Sequence, residues 1–445
     1  MSGVLSTDLR QTGAAFASGT GEAHHGPGRH LAPKLVRFGR TAVSAVVVLL
    51  IFRAYLAPNT VPRWLDQWRD VHLHYFGLGG ARGAGAAALA LATLAFGSYY
   101  PISSRRQGPF GLWLATGAWL SLTAAVILAP SSPDSVVLRE GCLLLGYACG
   151  LAAARLLPRI EGYLLALVAC GLLQSVIAIT YRIMGLDRFV SGDVIRAGGS
   201  FGTPAMLFLV PVFVLPLAVQ GVLAAPTTGA RTFTMVATAA LLAALMLTWE
   251  RSGVAAGLAA MLWLVSRRVP ARRRWVGWIM ALGVLLVVFL VRGTGPVNAA
   301  SSARSVKGRA ELMKAGALAF GHHWFEGVGV GRLSLPVQIE IAGRPTNVSL
   351  IDPHNQALFW LAEMGIVGAL LIAGLAWFVC RTLRDSQSPW ADGVAAVWVS
   401  VACAGMFNTL FGLSDFSCGN MLIGSLLGLT MRVGAACDEP RQTTT

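Results

Sequence analysis

About twelve apolar runs of membrane-crossing character, the eighth of them short enough to be tilted or partly re-entrant, constrain this chain more than any other feature. A helix needs about 20 mostly apolar residues to span roughly 30 Å of hydrocarbon. The runs cover residues 41–57, 85–101, 109–130, 136–157, 161–185, 203–224, 232–249, 253–267, 275–292, 355–380, 391–412 and 417–434. Because they follow one another with mostly short gaps, they predict a single all-α integral membrane domain.

Composition supports the same fold class. Charged residues make up 12% of the 445-residue chain, whereas soluble domains carry about 25%. The 35 Lys and Arg residues exceed the 20 Asp and Glu residues, a surplus that could suggest binding to nucleic acid. No basic patch interleaved with aromatic residues occurs in a soluble segment, so the sequence predicts membrane lipids and no nucleic acid as partners.

The basic residues instead predict how the chain crosses the membrane. Cytoplasmic loops are enriched in Lys and Arg, and with twelve crossings most of the loop cations, including the block at 267–274, fall on one side. Both termini are then expected in the cytoplasm. The predicted domains are a disordered tail at 1–34, a membrane domain at 35–434 and a C-terminal tail at 435–445.

The longest polar interval, residues 293–354, lies between the ninth and tenth runs. Loops that follow odd-numbered runs are predicted to be extracytoplasmic, and they hold Arg196, Arg251, His354 and Asp415. These polar groups therefore share one face of the membrane. This shared face is the predicted location of the chemistry.

Within the interval, residues 309–320 predict a short amphipathic helix. The glycine-rich segment 327–331 lacks the dinucleotide-binding fingerprint, so it predicts a tight turn. His322 and His323 are adjacent and cannot both point the same way, so neither is favoured as a catalytic residue.

Two arginines are candidate phosphate ligands. Arg196 precedes a glycine-rich stretch that ends at Thr203 and Pro204, which fit the N-cap and first residue of a helix, a place suited to phosphate. Arg251 follows Glu250 in the tight turn between the seventh and eighth runs, and its guanidinium can bind phosphate by two parallel hydrogen bonds. Each could instead be an ordinary interfacial arginine, and Glu250 could neutralise Arg251.

His354 is the candidate catalytic base. It follows Asp352 and Pro353, the expected N-cap and first residue of the tenth helix, and Asn355 is expected to support it by a hydrogen bond. The positive end of a helix disfavours a charged imidazolium, so the ring is predicted to be neutral and able to accept a proton. A purely structural histidine is the alternative.

Three further residues are weaker candidates. Arg309 could add positive charge for an anionic headgroup, or could be a solvated residue. Glu363, about two turns inside the tenth run, must face the bundle interior, where it could line the site or be structural. Asp415 could orient His354 or pair with an arginine.

The outward-facing loops contain no Asp-x-Asp pair and no pair of histidines at zinc-binding spacing. The sequence therefore predicts neither a metal nor a cofactor. Charge on a leaving phosphate would have to be met by arginines.

Several short motifs, taken in order, resemble the bacterial O-antigen ligase and O-antigen polymerase superfamily. They are RAGGSFGTP at 196–204, ERSG at 250–253, GR at 308–309, FEGVG at 325–329, HN at 354–355 and LAEMGIVG at 361–368. The resemblance covers roughly residues 190–370 and is greatest to the ligase of lipopolysaccharide assembly. Glu250 departs from the pattern, in which small hydroxyl residues are frequent at this position.

The resemblance implies a metal-independent, inverting glycosyltransferase of the GT-C class, with about twelve helices and a large periplasmic loop between the ninth and tenth. It would move preassembled O-antigen from undecaprenyl pyrophosphate to lipid A-core at the inner membrane. His354 would take the acceptor proton while Arg196 and Arg251 bind the pyrophosphate. The candidate substrate-binding residues are Arg309, Asn355, Glu363 and Asp415.

Two other classes of function stay open at this point. An O-antigen polymerase, or an oligosaccharyltransferase with a protein acceptor, would use the same lipid-linked donor and the same chemistry. A transporter of lipid-linked glycan would place ionisable groups near the membrane midplane. Glu363, together with Arg139 and Glu140, keeps that alternative open.

Overall fold

The computed structural model describes residues 81–103, 108–129, 134–156, 160–187, 190–191, 194–201, 204–225, 227–268, 296–341, 344–350, 352–410 and 417–435. These residues are predominantly helical, as the sequence predicts. The predicted N-terminal tail, the runs at 41–57 and 275–292, and Asp415 lie outside them.

The helices of the described residues are numbered here in chain order. They are α1 (Ala81–Ser103), α2 (Gly108–Leu128), α3 (Asp134–Leu156), α4 (Ile160–Ile183), α5 (Pro204–Leu207), α6 (Leu209–Ala224), α7 (Thr228–Thr248), α8 (Arg251–Arg268), α9 (Pro296–His322), α10 (Gln356–Asp385), α11 (Ala391–Gly405) and α12 (Ser417–Ala435). Each predicted apolar run that falls within the described residues contains a helix, but the run at 391–412 is helical only to Gly405. The run at 203–224 is divided between α5 and α6 at Phe208.

Three of the described helices, α4, α7 and α10, are long and apolar enough to cross a membrane. Shorter apolar stretches occur in α1, α2, α6, α11 and α12. Together with the composition, these helices indicate a multi-pass membrane protein. The number of twelve crossings and the side on which each loop lies stay predictions.

The main core includes residues from most of these helices, and its tightest packing joins α3 to α12. A Cβ atom added at Gly424 of α12 would lie 2.0 Å from the carbonyl oxygen of Leu143. Small residues allow two helix backbones to approach this closely. Tyr147 of α3 is fully buried beside this contact, and its ring packs edge-to-face on Trp119 at a centroid distance of 5.7 Å. The two helices therefore form a closely packed pair within the bundle.

The long polar interval has secondary structure of its own. Its helix α9 is much longer than the predicted 309–320 segment. The glycine-rich segment 327–331 follows, with positive φ at Gly327, Gly329 and Gly331, as expected for the predicted tight turn. The interval is thus a folded part of the molecule beside the membrane helices.

Two antiparallel hairpins were not predicted from the sequence. Strands β1 (Val190–Ser191) and β2 (Val194–Ile195) form a minimal one, and β3 (Leu335–Ile341) pairs with β4 (Arg344–Leu350) in the long interval. In the second hairpin Leu335 pairs with Leu350. The hairpin therefore brings the chain back toward the start of α10.

A small apolar cluster fixes α9 and the second hairpin against α10. It contains Leu312 of α9, Leu333 and Leu335 at the start of the hairpin, and Phe359 and Ala362 of α10. This packing positions α9 beside the residues that precede α10, including His354.

Helix α10 is broken at Gly365, which has φ 63° and ψ −161°. The amide of Ile366, which would otherwise bond within the helix, donates to the carbonyl of Trp324 at 2.8 Å. In exchange, the amides of Val328 and Gly329 donate to the carbonyls of Ala362 and Glu363, each at 2.9 Å. The glycine turn is therefore bonded into the break in α10.

Candidate functional site

Arg196 is held against the end of α7. Its Nε donates to the carbonyl of Thr248 at 2.9 Å, and its terminal nitrogen pairs with the carboxylate of Glu250. The backbone beside it is also fastened, because the amide of Ala197 donates to the carbonyl of Leu247 at 2.9 Å. A residue from the segment before α5 is thus fixed on the turn between α7 and α8.

The turn between α7 and α8 is as tight as the sequence predicts. Trp249 adopts a left-handed conformation with φ 58°, and the amide of Glu250 donates to the Thr248 hydroxyl at 3.2 Å. The first residue of α8 is Arg251, which is partly buried. Arg196 and Arg251 therefore both lie at this turn, and Glu250 forms an ion pair with Arg196, a contact that the sequence did not predict.

The glycine stretch after Arg196 has partners within the chain. The amides of Gly198 and Gly199 both donate to Oδ1 of Asp187 at 3.1 Å. Pro204 begins the four-residue helix α5, as predicted, while Thr203 lies outside the described residues. We call the turn between α7 and α8, with Arg251 and the bound Arg196, the arginine turn. The arginine turn, more than the glycine stretch, is the part of this region suited to bind phosphate.

His354 lies in a turn closed by Asp352. Oδ1 of Asp352 accepts from the His354 amide at 2.7 Å, and Oδ2 lies 3.3 Å from Nδ1 of the imidazole. The hydroxyl of Thr409 also donates to Asp352, at 2.5 Å. Asp352 therefore orients the imidazole, a role that was expected of Asn355; the possible role of Asp415 stays a prediction.

The helix begins later than predicted. Asn355, not Asp352, is the N-cap of α10, and its Oδ1 accepts from the amide of Leu358 at 2.9 Å. The reason is the left-handed conformation of His354, with φ 52°, which no helical residue can have. The Asn355 side chain also donates to the carbonyl of Met406 at 2.9 Å, so both of its described bonds fix the backbone, and neither supports the imidazole.

The pKa of His354 is lowered from its ordinary value. Burial is the main cause, since it disfavours the charged ring. The charge of Asp352 opposes this, the charge of Arg309 on α9 lowers the pKa further, and the charge of Glu250 raises it. The imidazole is therefore neutral near pH 7 and able to accept a proton. Arg309 and Glu250 are thus charged residues of other segments that act on the His354 imidazole.

The segment after α11 bonds to both parts of the site. Asn408 donates to the Ser252 hydroxyl in the first turn of α8, while its neighbour Thr409 donates to Asp352. The amide of Leu410 donates to Gln356 at the start of α10, at 2.8 Å. This segment ties the arginine turn to the His354 turn. We call the resulting set the polar cluster: Arg196, Glu250, Arg251, Arg309, Asp352 and His354.

Glu363 lies in a different cluster. Its carboxylate lies 3.4 Å from the Arg139 guanidinium and accepts from the amide of Gly331 at 2.8 Å. Arg139 also bonds to Glu140 at 2.9 Å. We call Arg139, Glu140 and Glu363 the buried triad. Glu363 faces the interior, as predicted, and these contacts favour its structural interpretation; its role as a substrate ligand stays a prediction.

The two neighbouring histidines lie outside the polar cluster. His322 and His323 are exposed at the end of α9, and Nδ1 of His323 lies 3.6 Å from the exposed carboxylate of Glu326. In the part of the chain that the structure describes, no group of three or more His, Cys, Asp or Glu side chains is arranged to hold a metal ion.

The polar cluster combines groups that can bind an anion with one that can accept a proton. Its three guanidinium groups outnumber its two carboxylates, so it suits a phosphate-bearing ligand. With Nδ1 turned toward Asp352, Nε2 of His354 is the nitrogen able to take a proton from a hydroxyl. This chemistry suits a reaction in which a group is transferred from a phosphate leaving group to an alcohol.

Comparison with known proteins gives one match. Residues 236–373 match the family model described as O-antigen ligase, and they include every member of the polar cluster except Arg196. No match was found among curated proteins. The matched segment, which runs from α7 to α10, supports assignment of this membrane protein to the O-antigen ligase family of glycosyl-transferring ligases and polymerases.

Proposed function

We propose that the protein is an O-antigen ligase that transfers preassembled O-antigen polysaccharide from undecaprenyl pyrophosphate to lipid A-core in lipopolysaccharide biosynthesis. The observation that supports this function is the polar cluster, most of which lies within the segment that matches the family. The reaction takes place at the periplasmic face of the inner membrane, with both termini in the cytoplasm.

In the proposed reaction, a hydroxyl of the lipid A-core attacks the anomeric carbon of the donor sugar. A new carbon–oxygen bond forms as the bond to the pyrophosphate oxygen breaks on the opposite face, so the configuration inverts. His354 Nε2 takes the hydroxyl proton and later releases it to water. The electron pair of the broken bond stays on the pyrophosphate, whose charge Arg196 and Arg251 stabilise.

The other members of the polar cluster support these three residues. Asp352 holds the imidazole with Nδ1 toward its carboxylate, which leaves Nε2 for the acceptor. Arg309 adds positive charge from α9. Because guanidinium groups meet the developing charge, the mechanism needs no metal ion.

An O-antigen polymerase is the second candidate, because the family match covers ligases and polymerases alike. An oligosaccharyltransferase would also use this donor. The cleavage chemistry is the same in all three enzymes, and the acceptor alone distinguishes them. A transporter is disfavoured because the charged groups that suggested it are bonded to one another in the buried triad.

The test measures glycan transfer by the purified protein. The protein is placed in lipid vesicles that contain undecaprenyl-pyrophosphate-linked glycan and lipid A-core. We expect glycan on the lipid A-core, unchanged by a chelator and lost in Arg251→Ala and His354→Ala. His322→Ala is the matched histidine control and keeps its activity. Loss of transfer with chelator would contradict the metal-free mechanism, and extension of the glycan on its own carrier would identify a polymerase.

A further inference from the structure

Glu250 belongs to the polar cluster, yet the proposed reaction gives it no task. Its carboxylate pairs with Arg196, and both side chains are mostly buried, at 13% and 17% exposure. A carboxylate beside a site for pyrophosphate repels the ligand. Its presence there therefore indicates a separate role in the site.

The contacts of Arg196 indicate what that is. An arginine side chain has many rotamers, and it must be held if its guanidinium is to meet a phosphate in one geometry. Two acceptors that hold Arg196 are the Thr248 carbonyl and the Glu250 carboxylate. Both lie on the α7–α8 turn, where the Thr248 hydroxyl also accepts from the Glu250 amide.

The turn is itself well fixed. Trp249 is held in a left-handed conformation, and the Glu250 carbonyl accepts the first helical bond of α8, from the amide of Val254 at 3.2 Å. Glu250 is therefore anchored by its backbone at the head of α8, directly before Arg251. A guanidinium bound to Glu250 is therefore placed next to Arg251.

We propose that Glu250 is a positioning residue that acts through Arg196, holding its guanidinium at the head of α8 so that Arg196 and Arg251 meet the lipid-linked pyrophosphate together. This inference rests on the proposed function. Arg196, Arg251 and Arg309 still leave the site with an excess of positive charge for the ligand.

The same carboxylate has an effect on His354. Among the described residues, the charged groups that act on this imidazole are Asp352 of its own turn, Arg309 of α9 and Glu250 of the α7–α8 turn. Glu250 raises the pKa of His354, so its neutralisation lowers that pKa. His354 then stays neutral to lower pH. As a result, the acidic limb of the pH profile of kcat/KM moves to lower pH.

The experiment compares Glu250→Gln, Glu250→Ala and Glu250→Asp with the wild type in the vesicle transfer assay. For Glu250→Ala we expect kcat/KM for the donor to fall about ten- to a hundredfold, the effect of a misplaced binding group, with partial recovery in Glu250→Asp. The acidic limb moves to lower pH in Glu250→Gln and Glu250→Ala. Glu311→Gln, on the exposed side of α9, is the control for loss of a carboxylate.

A double-variant comparison tests whether Glu250 acts through Arg196. In an Arg196→Lys background, Glu250→Ala should add much less to the loss than it does in the wild type. The proposal would be overturned if the two losses were fully additive or if the acidic limb did not move. A lower KM for the donor would also overturn it, because it would make Glu250 a competitor of the pyrophosphate.

Direct binding separates this proposal from the proposed function. Undecaprenyl pyrophosphate is titrated into the wild type and the Glu250 variants, with thermal melting to establish that each is folded. Weaker binding in Glu250→Ala supports the positioning role even if the lipid A-core is not the acceptor. Unchanged binding overturns it, whether or not the wild type transfers glycan.

Discussion

Within the described part of the chain, two Arg–Glu pairs join distant segments, and they differ in what surrounds them. Arg139 and Glu363, in the buried triad, are 7% and 3% exposed, and their charges are met by Glu140 and by the amide of Gly331. Arg196 and Glu250, in the polar cluster, are 17% and 13% exposed.

The charge balance of the two clusters is opposite. The buried triad has one cation and two carboxylates, so an anionic ligand would be repelled there. The polar cluster has three arginines and two carboxylates, with a neutral imidazole beside them. A buried charged residue in a membrane protein therefore indicates a substrate site only when its surroundings leave charge for a ligand. We expect the first pair to control stability and the second to control transfer.

The largest effect is expected from Glu363→Ala. Removing one partner of a buried ion pair typically costs about 3–5 kcal/mol, because the other charge stays buried. Arg139 keeps Glu140, so the lower part of that range applies. The measurement is thermal melting of the detergent-solubilised protein, with Glu363→Gln, which keeps an acceptor for the Gly331 amide, as the milder control. A stable variant that has lost transfer would place Glu363 in the site instead.

Arg196→Ala should show the converse behaviour. We expect transfer to fall about 10²–10³-fold, as when one group that stabilises transition-state charge is removed, with little change in melting temperature. Arg267→Ala is the control, since Arg267 forms an exposed pair with Asp392. If Arg196→Ala melts as early as Glu363→Ala, the distinction between the two pairs is wrong.

Gly365→Ala, like Glu363→Ala, should lower the stability of the protein. A side chain at this φ and ψ costs about 1–3 kcal/mol, and its Cβ would lie 2.1 Å from the carbonyl oxygen of Phe325. The variant should melt earlier while the folded fraction still transfers glycan. Gly374→Ala, in the same helix with open space around its Cβ position, is the matched control and should melt like the wild type.

Arg309→Gln should have the smallest effect, visible mainly in acid. The charge of Arg309 lowers the pKa of His354, so its loss raises that pKa. Because the base works as the neutral ring, the acidic limb of the kcat/KM profile moves to higher pH, opposite to the shift in Glu250→Gln. Lys314→Gln, on the exposed side of α9, should leave the limb in place. A shift in the same direction for Arg309→Gln and Glu250→Gln would contradict the electrostatic account of the site.

The parts of the fold that depend on nearby residues could be predicted. Apolar runs predicted the described helices other than α9, and the polar break at 250–252 predicted a tight turn because helices separated by so few residues must reverse there. The β3–β4 hairpin, the full length of α9 and the break in α10 were not predicted. Each depends on contacts with other segments, such as the bond from Ile366 to Trp324.

The site could be predicted only as separate candidates. Arg196, Arg251 and His354 were identified by their chemistry and by their places beside apolar runs. Asp352 was predicted to be the helix cap, but its side chain accepts from the amide two residues on, a turn that Asp is known to favour. The pairing of Glu250 with Arg196 joins positions 54 residues apart, and no local pattern predicts it.

The amino-acid sequence alone indicates a polytopic helical membrane protein and the side chains suited to bind phosphate and accept a proton. Both follow from properties of single residues and of short runs, namely their hydrophobicity, charge and pKa. Which charges meet depends on the tertiary structure, which pairs Glu363 with Arg139 and Glu250 with Arg196. Such pairings depend on how helices pack, and an ion pair is formed between whichever groups that packing brings within a few ångströms.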